Sequence, residues 1–374
     1  MNRTMQRAIW IFVFALLILN PLPAFAGDET EKQTQPICFT PEMATSYAKE
    51  FAVSMTGKSD LMPSTPIKLR DRSGKAIGYI VDYHCPDGSP SGYIVFDNSD
   101  DSLISEYSFE YGSSSPYSHA LSFSSRSEEV DNFEAVKTSP FQYAAFNPIS
   151  QLGIDSAGKS IDIPETYGLL RTDSWNDIFL GNVGDSRYSV ITQNNIPEFI
   201  AVTSSQVEEQ TQRYACGVSA LLHCAIFYLP GQIPYNSFAN EYRMLWTLSK
   251  TYTDHIENGI TYGMTNYVDL GPALQQFLNS RGVIVGTDWK SFPTFSQYKT
   301  AIDTGNVAIY GCHINTPEGL KGHIMSVEGY AVLKNSSGKS FNTLLVADGW
   351  GANARYLNLN YGYSIAQGVF FSRI

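Results

Sequence analysis

Charge is scarce in this sequence. Lys, Arg, Asp and Glu supply 16% of its 374 residues, and the acidic ones lead by 36 to 25, for a formal net charge of −11. A protein that grips nucleic acid needs a basic patch, and electrostatic attachment to anionic lipid needs clustered Lys and Arg. The balance speaks against both. Long apolar runs are scarce too: one stretches from Ala8 to about Leu19, and no later segment is apolar enough to span a bilayer. There is no internal repeat. The spacing of Cys312, His313 and His323 matches no standard zinc pattern, so neither a metal nor any other cofactor is expected. Cysteine itself numbers only five.

What is there begins with three features in order. Arg3 and Arg7 open the chain, the apolar run follows, and Pro21 and Pro23 lead to Ala24-Phe25-Ala26. A basic start, an apolar stretch and a small-residue cut site make a secretory signal peptide over 1–26. The protein is therefore expected outside the cytoplasm, secreted or at the cell surface. No cysteine stands at the cut to take a lipid, so no stable membrane anchor is expected. An odd cysteine count in that compartment leaves at least one free thiol or an intermolecular bridge. Cys38 with Cys85 is one pairing that spacing alone leaves open.

Two domains are expected, both α+β. In "TPEMATSYAKEFAVSMTG", Thr40 can cap a helix, Pro41 suits its first position and Gly57 closes it. Met43, Tyr47, Phe51 and Met55 recur every four residues as its buried stripe. "TPIKLRDRSGKAIGYIVDYHC" predicts two strands about a turn at Ser73-Gly74, and "SGYIVFDN" and "SLISEYSFEY" predict two more. One helix and about four antiparallel strands make a small domain over 38–111, in which His84 reads as structural. Residues 112–199, Ser-rich at first and mixed later, predict a connecting region. The second domain, 200–374, places helices at "YACGVSALLHCAIFYLPG", "NSFANEYRMLWTLSK" and "GPALQQFLNSRG", then β-runs at "NVAIYGCHI", "HIMSVEGYAVL" and "NTLLVADGW". Helices first and antiparallel strands last favour α+β over a doubly wound sheet.

The chemistry gathers in this second part. A cysteine attacks a carbonyl only as thiolate, so its surroundings must favour the ionised form. Cys216 stands where a helix should begin, at the positive end of its dipole, and Gly217 lets a substrate approach closely. An imidazole must take the thiol proton and later protonate the leaving amine. His323, at the start of a strand, can do so. Asp348, at the end of another, can hold that ring in one tautomer. Gln210, six residues before Cys216, can turn an amide N–H on the developing oxyanion.

Gln-x5-Cys, then His-x5-Gly-Tyr, then Asp-x-Trp-Gly, in that order, resembles the papain-like cysteine peptidases. The Cys-Gly-x-Ser-Ala run and the use of Asp are closer to the secreted bacterial relatives of the peptidases that trim double-glycine leaders. The resemblance covers about 200–374. It implies Cys216 as nucleophile, His323 as base and acid, Asp348 as orienter, Gln210 in the oxyanion hole and Trp350 shielding the His–Asp contact. The cysteine-rich, aromatic context of the plant enzymes is absent, so their substrate preference is not implied. "GKAIGYIVDY", "SGYIVFDN" and "ISEYSFEYG" after a helix are similar to the propeptides of streptopain-type peptidases. That implies an intramolecular inhibitor in the N-terminal domain and a peptide or protein substrate.

Other readings stand beside this one. The same residue types serve cell-wall amidases and transglutaminases, and a peptidase fold without activity can serve as a surface binding module. Cys224 and His223 read as core residues. His313 competes with His323 but lacks the downstream Gly-Tyr. His255, beside Asp254, reads as solvated, and Glu328 as a solvent-facing carboxylate in a strand.

Overall fold

The computed structural model describes residues 37–124, 132–163, 167, 179–180, 187–197, 199–316, 319–351, 353–361 and 363–374. The signal peptide expected over 1–26 lies outside these. Among the described residues no helix is long and apolar enough to cross a membrane.

The N-terminal elements follow from local sequence. A short strand β1 (Ile37–Cys38) leads into helix α1 (Pro41–Thr56). The Thr40 hydroxyl accepts from the Met43 N–H at 3.3 Å, and Gly57 stops the helix in the left-handed conformation at φ 70°. Phe51 and Met55 of the predicted stripe are buried with Ala44, Ala48 and Ala52, while Met43 and Tyr47 pack at its margin. After β2 (Met62–Pro63) come β3 (Ile67–Arg70), β4 (Ala76–His84), β5 (Pro90–Asp97) and β6 (Ile104–Ser108). The last four pair antiparallel in chain order. Helix α1 covers them through Phe39, Tyr79, Tyr83 and Phe96.

Residues 112–199 differ from the expected connector. They hold α2 (Pro116–Ser122), β7 (Glu134–Ser139), β8 (Gln142–Asn147), β9 (Leu152–Asp155), β10 (Ser160–Ile161), β11 (Phe179–Leu180) and β12 (Tyr188–Asn195). Their buried runs are short, such as Ala135-Val136 and Tyr143 to Phe146, and polar turns between them masked the alternation.

Beyond them lie α3 (Ser204–Thr211), β13 (Arg213–Tyr214), α4 (Cys216–Tyr228) and α5 (Ala239–Leu248). The hairpin β14 (Tyr252–Glu257) and β15 (Ile260–Met264) precedes α6 (Tyr267–Asn279), β16 (Val285–Ser291) and α7 (Phe295–Asp303). The chain closes with β17 (Ala308–Thr316), β18 (Gly319–Asn335), β19 (Ser340–Ala347), β20 (Arg355–Asn358) and β21 (Tyr363–Arg373). The protein is α+β, with seven helices among the described residues and a mostly antiparallel sheet.

That sheet joins the two expected domains. Its order is β10-β9-β8-β7-β3-β4-β5-β6-β20-β19-β18-β17-β21-β16, sixteen strands once β2 and β12 are included. The joint is β6 against β20, where Tyr107 faces Tyr356 and Glu106 faces Leu357. Each would otherwise be an exposed edge, and pairing removes both. The Tyr107 and Tyr356 rings stack at 4.7 Å. A boundary between 38–111 and 200–374 is thus crossed by main-chain hydrogen bonds.

Helix α4 is buried almost all round and packs on β18. β18 pairs with β17 along its first half, with β12 along its second, and with β19 on the other edge. Burial along it runs without alternation from His323 to Ala331. Glu328, expected to face solvent, is therefore buried: a strand covered on both faces has no wet side.

Candidate functional site

Cys216 is the first residue of α4, and the cap residue Ala215 offers no side-chain hydrogen bond to the helix start. The N–H groups there are left for the sulfur. Burial pushes the thiol up, and N–H groups of Ile324, Gly217 and Cys216 itself draw it partly back. Gly217 permits the close fit: a Cβ there would lie 3.0 Å from Thr265 and 3.2 Å from Ile324 Cδ1. The start of α4 therefore abuts β18 at the residue that follows His323.

His323 is 4% exposed, and its ring stacks on Trp350 with centroids 4.1 Å apart and planes 14° from parallel. Its Nε2 lies 3.1 Å from the backbone carbonyl of Asp348. A carbonyl only accepts, so the proton sits on Nε2, and Nδ1 is the basic nitrogen. Burial lowers the ring to about 4, against the pull of Asp348, so the imidazole is neutral at pH 7. Among the described residues no hydrogen bond joins Cys216 to His323. Side chains alternate along a strand: Ile324 turns to α4, and His323 turns to the Trp350 stack.

The group that holds the ring is the Asp348 main chain, not its carboxylate. Oδ1 accepts from Trp350 N at 2.8 Å and Gly351 N at 3.3 Å, and Oδ2 pairs with Arg355 Nη2. Burial works against ionisation of Asp348, but Arg355, then His323 and the two N–H groups, outweigh it and hold its carboxyl below the usual range. Arg355 Nη1 also pairs with Glu106 Oε1 at 2.9 Å, and Tyr93 donates to that oxygen at 2.9 Å. Two strands of the N-terminal meander, β5 and β6, thus reach the carboxylate behind the histidine.

A second intruder is Phe141. It sits with Pro140 in the two-residue turn between β7 and β8, at φ 47°. That left-handed position ordinarily takes glycine. Its ring is 4% exposed and lies 5.2 Å from Tyr363, 5.6 Å from Trp350 and 5.9 Å from His323. Its carbonyl accepts from Arg355 Nη2 at 3.2 Å. Sequence reasoning missed Phe141, Glu106 and Arg355. The visible signal for the first was a Pro-Phe pair where a turn with a left-handed second residue ordinarily takes Gly or Asn; the other two left none.

Gln210 lies in the last turn of α3. Its Oε1 accepts from Phe238 N at 3.2 Å, which fixes the amide against the start of α5. Among the described residues its NH2 has no hydrogen-bonded acceptor. His223 is a core residue: Nε2 accepts from Val202 N at 2.9 Å, Nδ1 meets Ser326 Oγ at 2.9 Å, and burial lowers the ring to about 4. Cys224 is fully buried. His313 packs against Tyr267, and among the described residues no three His, Cys, Asp or Glu converge as a metal site. His255 is exposed on β14, bonded to Asp254 and stacked on Tyr262 at 4.8 Å. Among the described residues no disulfide joins Cys38 to Cys85, which is a free thiol.

Two further carboxyls lie where the halves of the sheet meet. Glu110 Oε2 accepts from Ala354 N at 3.2 Å, and burial raises its carboxyl to about 7. Glu328 is raised well above its usual range by burial and then by Glu110. A raised acid stabilises the fold fully below its unfolded pKa, and that contribution is lost as pH climbs through the folded value. Between about pH 5 and pH 8 the thermal midpoint is expected to fall more for the wild type than for Glu110→Gln. Parallel melting profiles would contradict this.

A scan against protein-family models finds no match, and a search of curated proteins finds none either.

Proposed function

We propose that the chain is an exported cysteine peptidase of papain-like fold, made as a precursor whose N-terminal region restrains it. The observation that carries this reading is the thiol of Cys216 at a helix start, against β18 beside a histidine whose tautomer leaves Nδ1 basic. In the reaction the Cys216 proton passes to His323 Nδ1, and sulfur bonds to the substrate carbonyl carbon. The oxyanion faces the N–H of Cys216 and the Gln210 amide. The C–N bond breaks as Nδ1 returns its proton to the leaving amine. Water, deprotonated by Nδ1, then hydrolyses the thioester.

The geometry described is that of a resting state. His323 is neutral and turned into the aromatic stack, and Phe141 packs against that stack. Activation requires the β7–β8 turn to withdraw and the imidazole to swing toward Cys216. Residues 38–111 and the strands that follow act as the inhibitor. The N-terminal 1–26 supports export by its sequence alone.

The test is to incubate the full-length protein with casein and sequence any new N-terminus. The expected result is a cut between about 113 and 202, followed by casein digestion that iodoacetamide stops. Digestion that persists after every thiol is blocked would contradict the reading.

A further inference from the structure

A cavity of about 190 Å³ lies next to the site, with Tyr143, Lys159, Glu208, Tyr214, Tyr262 and Trp350 in its wall. Two of these tie it to the reaction. Trp350 stacks on His323, the group that protonates the leaving amine, and Tyr214 stands two residues before Cys216. On the peptidase reading, a cavity walled by the stacking partner of His323 faces the leaving amine. Its catalytic-side wall is built to receive a cation. Tyr262 donates to Glu208 Oε1 at 3.1 Å, and both come from elements, β15 and α3, that flank the strand leading into Cys216.

The cation now present belongs to the N-terminal region. Lys159 follows the β9 turn and donates its Nζ to the Tyr262 hydroxyl at 2.9 Å. It lies 3.8 Å from Glu208 Oε1 and 4.9 Å from the centre of the Tyr262 ring. An independent sign of an incomplete site is the buried Tyr214 hydroxyl, which has no hydrogen-bond partner among the described residues.

We propose that Glu208 and Tyr262 form a subsite for a Lys or Arg side chain of the substrate, on the amine side of the scissile bond, and that Lys159 fills it in the resting protein. The proposal rests on the peptidase reading, which makes that wall part of a substrate cleft. A basic side chain there gains a carboxylate, a hydroxyl and a ring face at once. A neutral one gives Glu208 no countercharge, and an acidic one is repelled by it.

The experiment uses the full-length chain with Phe141→Gly, which opens the site, and Lys159→Ala, which empties the subsite, in forms with and without Cys216→Ala. Labelled peptides carry Lys, Gln or Glu at one of the first three positions on the amine side. Binding to the Cys216→Ala form is read by fluorescence anisotropy, and hydrolysis is read on the form that keeps Cys216. At one position Lys is expected to bind at least about tenfold tighter than Gln. Glu208→Gln should shrink that ratio below about threefold and Tyr262→Phe should reduce it partly. Equal binding of Lys and Gln peptides overturns the subsite, whatever hydrolysis shows. Preferential binding lost in Glu208→Gln supports it even if no form cleaves peptide, and that absence would count against the peptidase reading alone.

Discussion

Phe141→Gly is expected to raise peptide hydrolysis by the full-length chain by roughly tenfold to a hundredfold. Two opposing effects set that size. Truncating a buried phenylalanine costs about 3–5 kcal/mol, and this ring packs against His323, Trp350 and Tyr363. Glycine returns part of this, because a bulky residue at φ 47° stores about 1–3 kcal/mol of backbone strain. The net weakening of the closed arrangement is about 2 kcal/mol, enough to shift a closed-to-open equilibrium about thirtyfold. Phe141→Leu keeps apolar bulk in the slot and should move activity far less. If the glycine variant hydrolyses peptide no faster than the wild type, Phe141 does not restrain the site.

Arg355→Met is expected to cost about 3–5 kcal/mol of stability, because it removes the cation from between two buried carboxylates. Asp348 and Glu106 are 4% and 1% exposed, and Arg355 pairs with both. Without it each must bind a proton or stay charged and unpaired. Urea unfolding at neutral pH should show the midpoint fall sharply. Adding Glu106→Gln and Asp348→Asn should restore most of the loss, since a neutral cluster carries no charge to leave unpaired. An unchanged midpoint in the single variant would mean that the cluster is open to water.

Much of the local structure was legible because its causes are local. Thr40, Pro41 and Gly57 set the limits of α1, and Ser73-Gly74 turns β3 into β4 as the pattern predicted. Cys216 opens α4 because Gly217 and the small residues after it suit a close-packed helix start. What escaped was non-local. Arg355 and Glu106 are 249 positions apart, and neither sequence context hints at the other. The β6–β20 joint depends on two strands that each look complete alone. Glu328 was misjudged because alternation marks a wet face only when the strand has one. The carboxylate of Asp348 was expected to meet the imidazole, yet Arg355 holds it and leaves the carbonyl to do so. Only the three-dimensional placement of that guanidinium decides between the two.

In the proposed reaction, Cys216 becomes a thiolate because His323 takes its proton once Phe141 is gone. Alkylation of Cys216 by iodoacetamide, followed by mass spectrometry from pH 5 to pH 10 in Phe141→Gly with and without His323→Ala, tests it most directly. With His323 present, the account predicts rapid alkylation down to about pH 5–6. Without it, the rate should fall away below about pH 8.5–9, as for an unassisted thiol. Superimposable profiles would contradict the account.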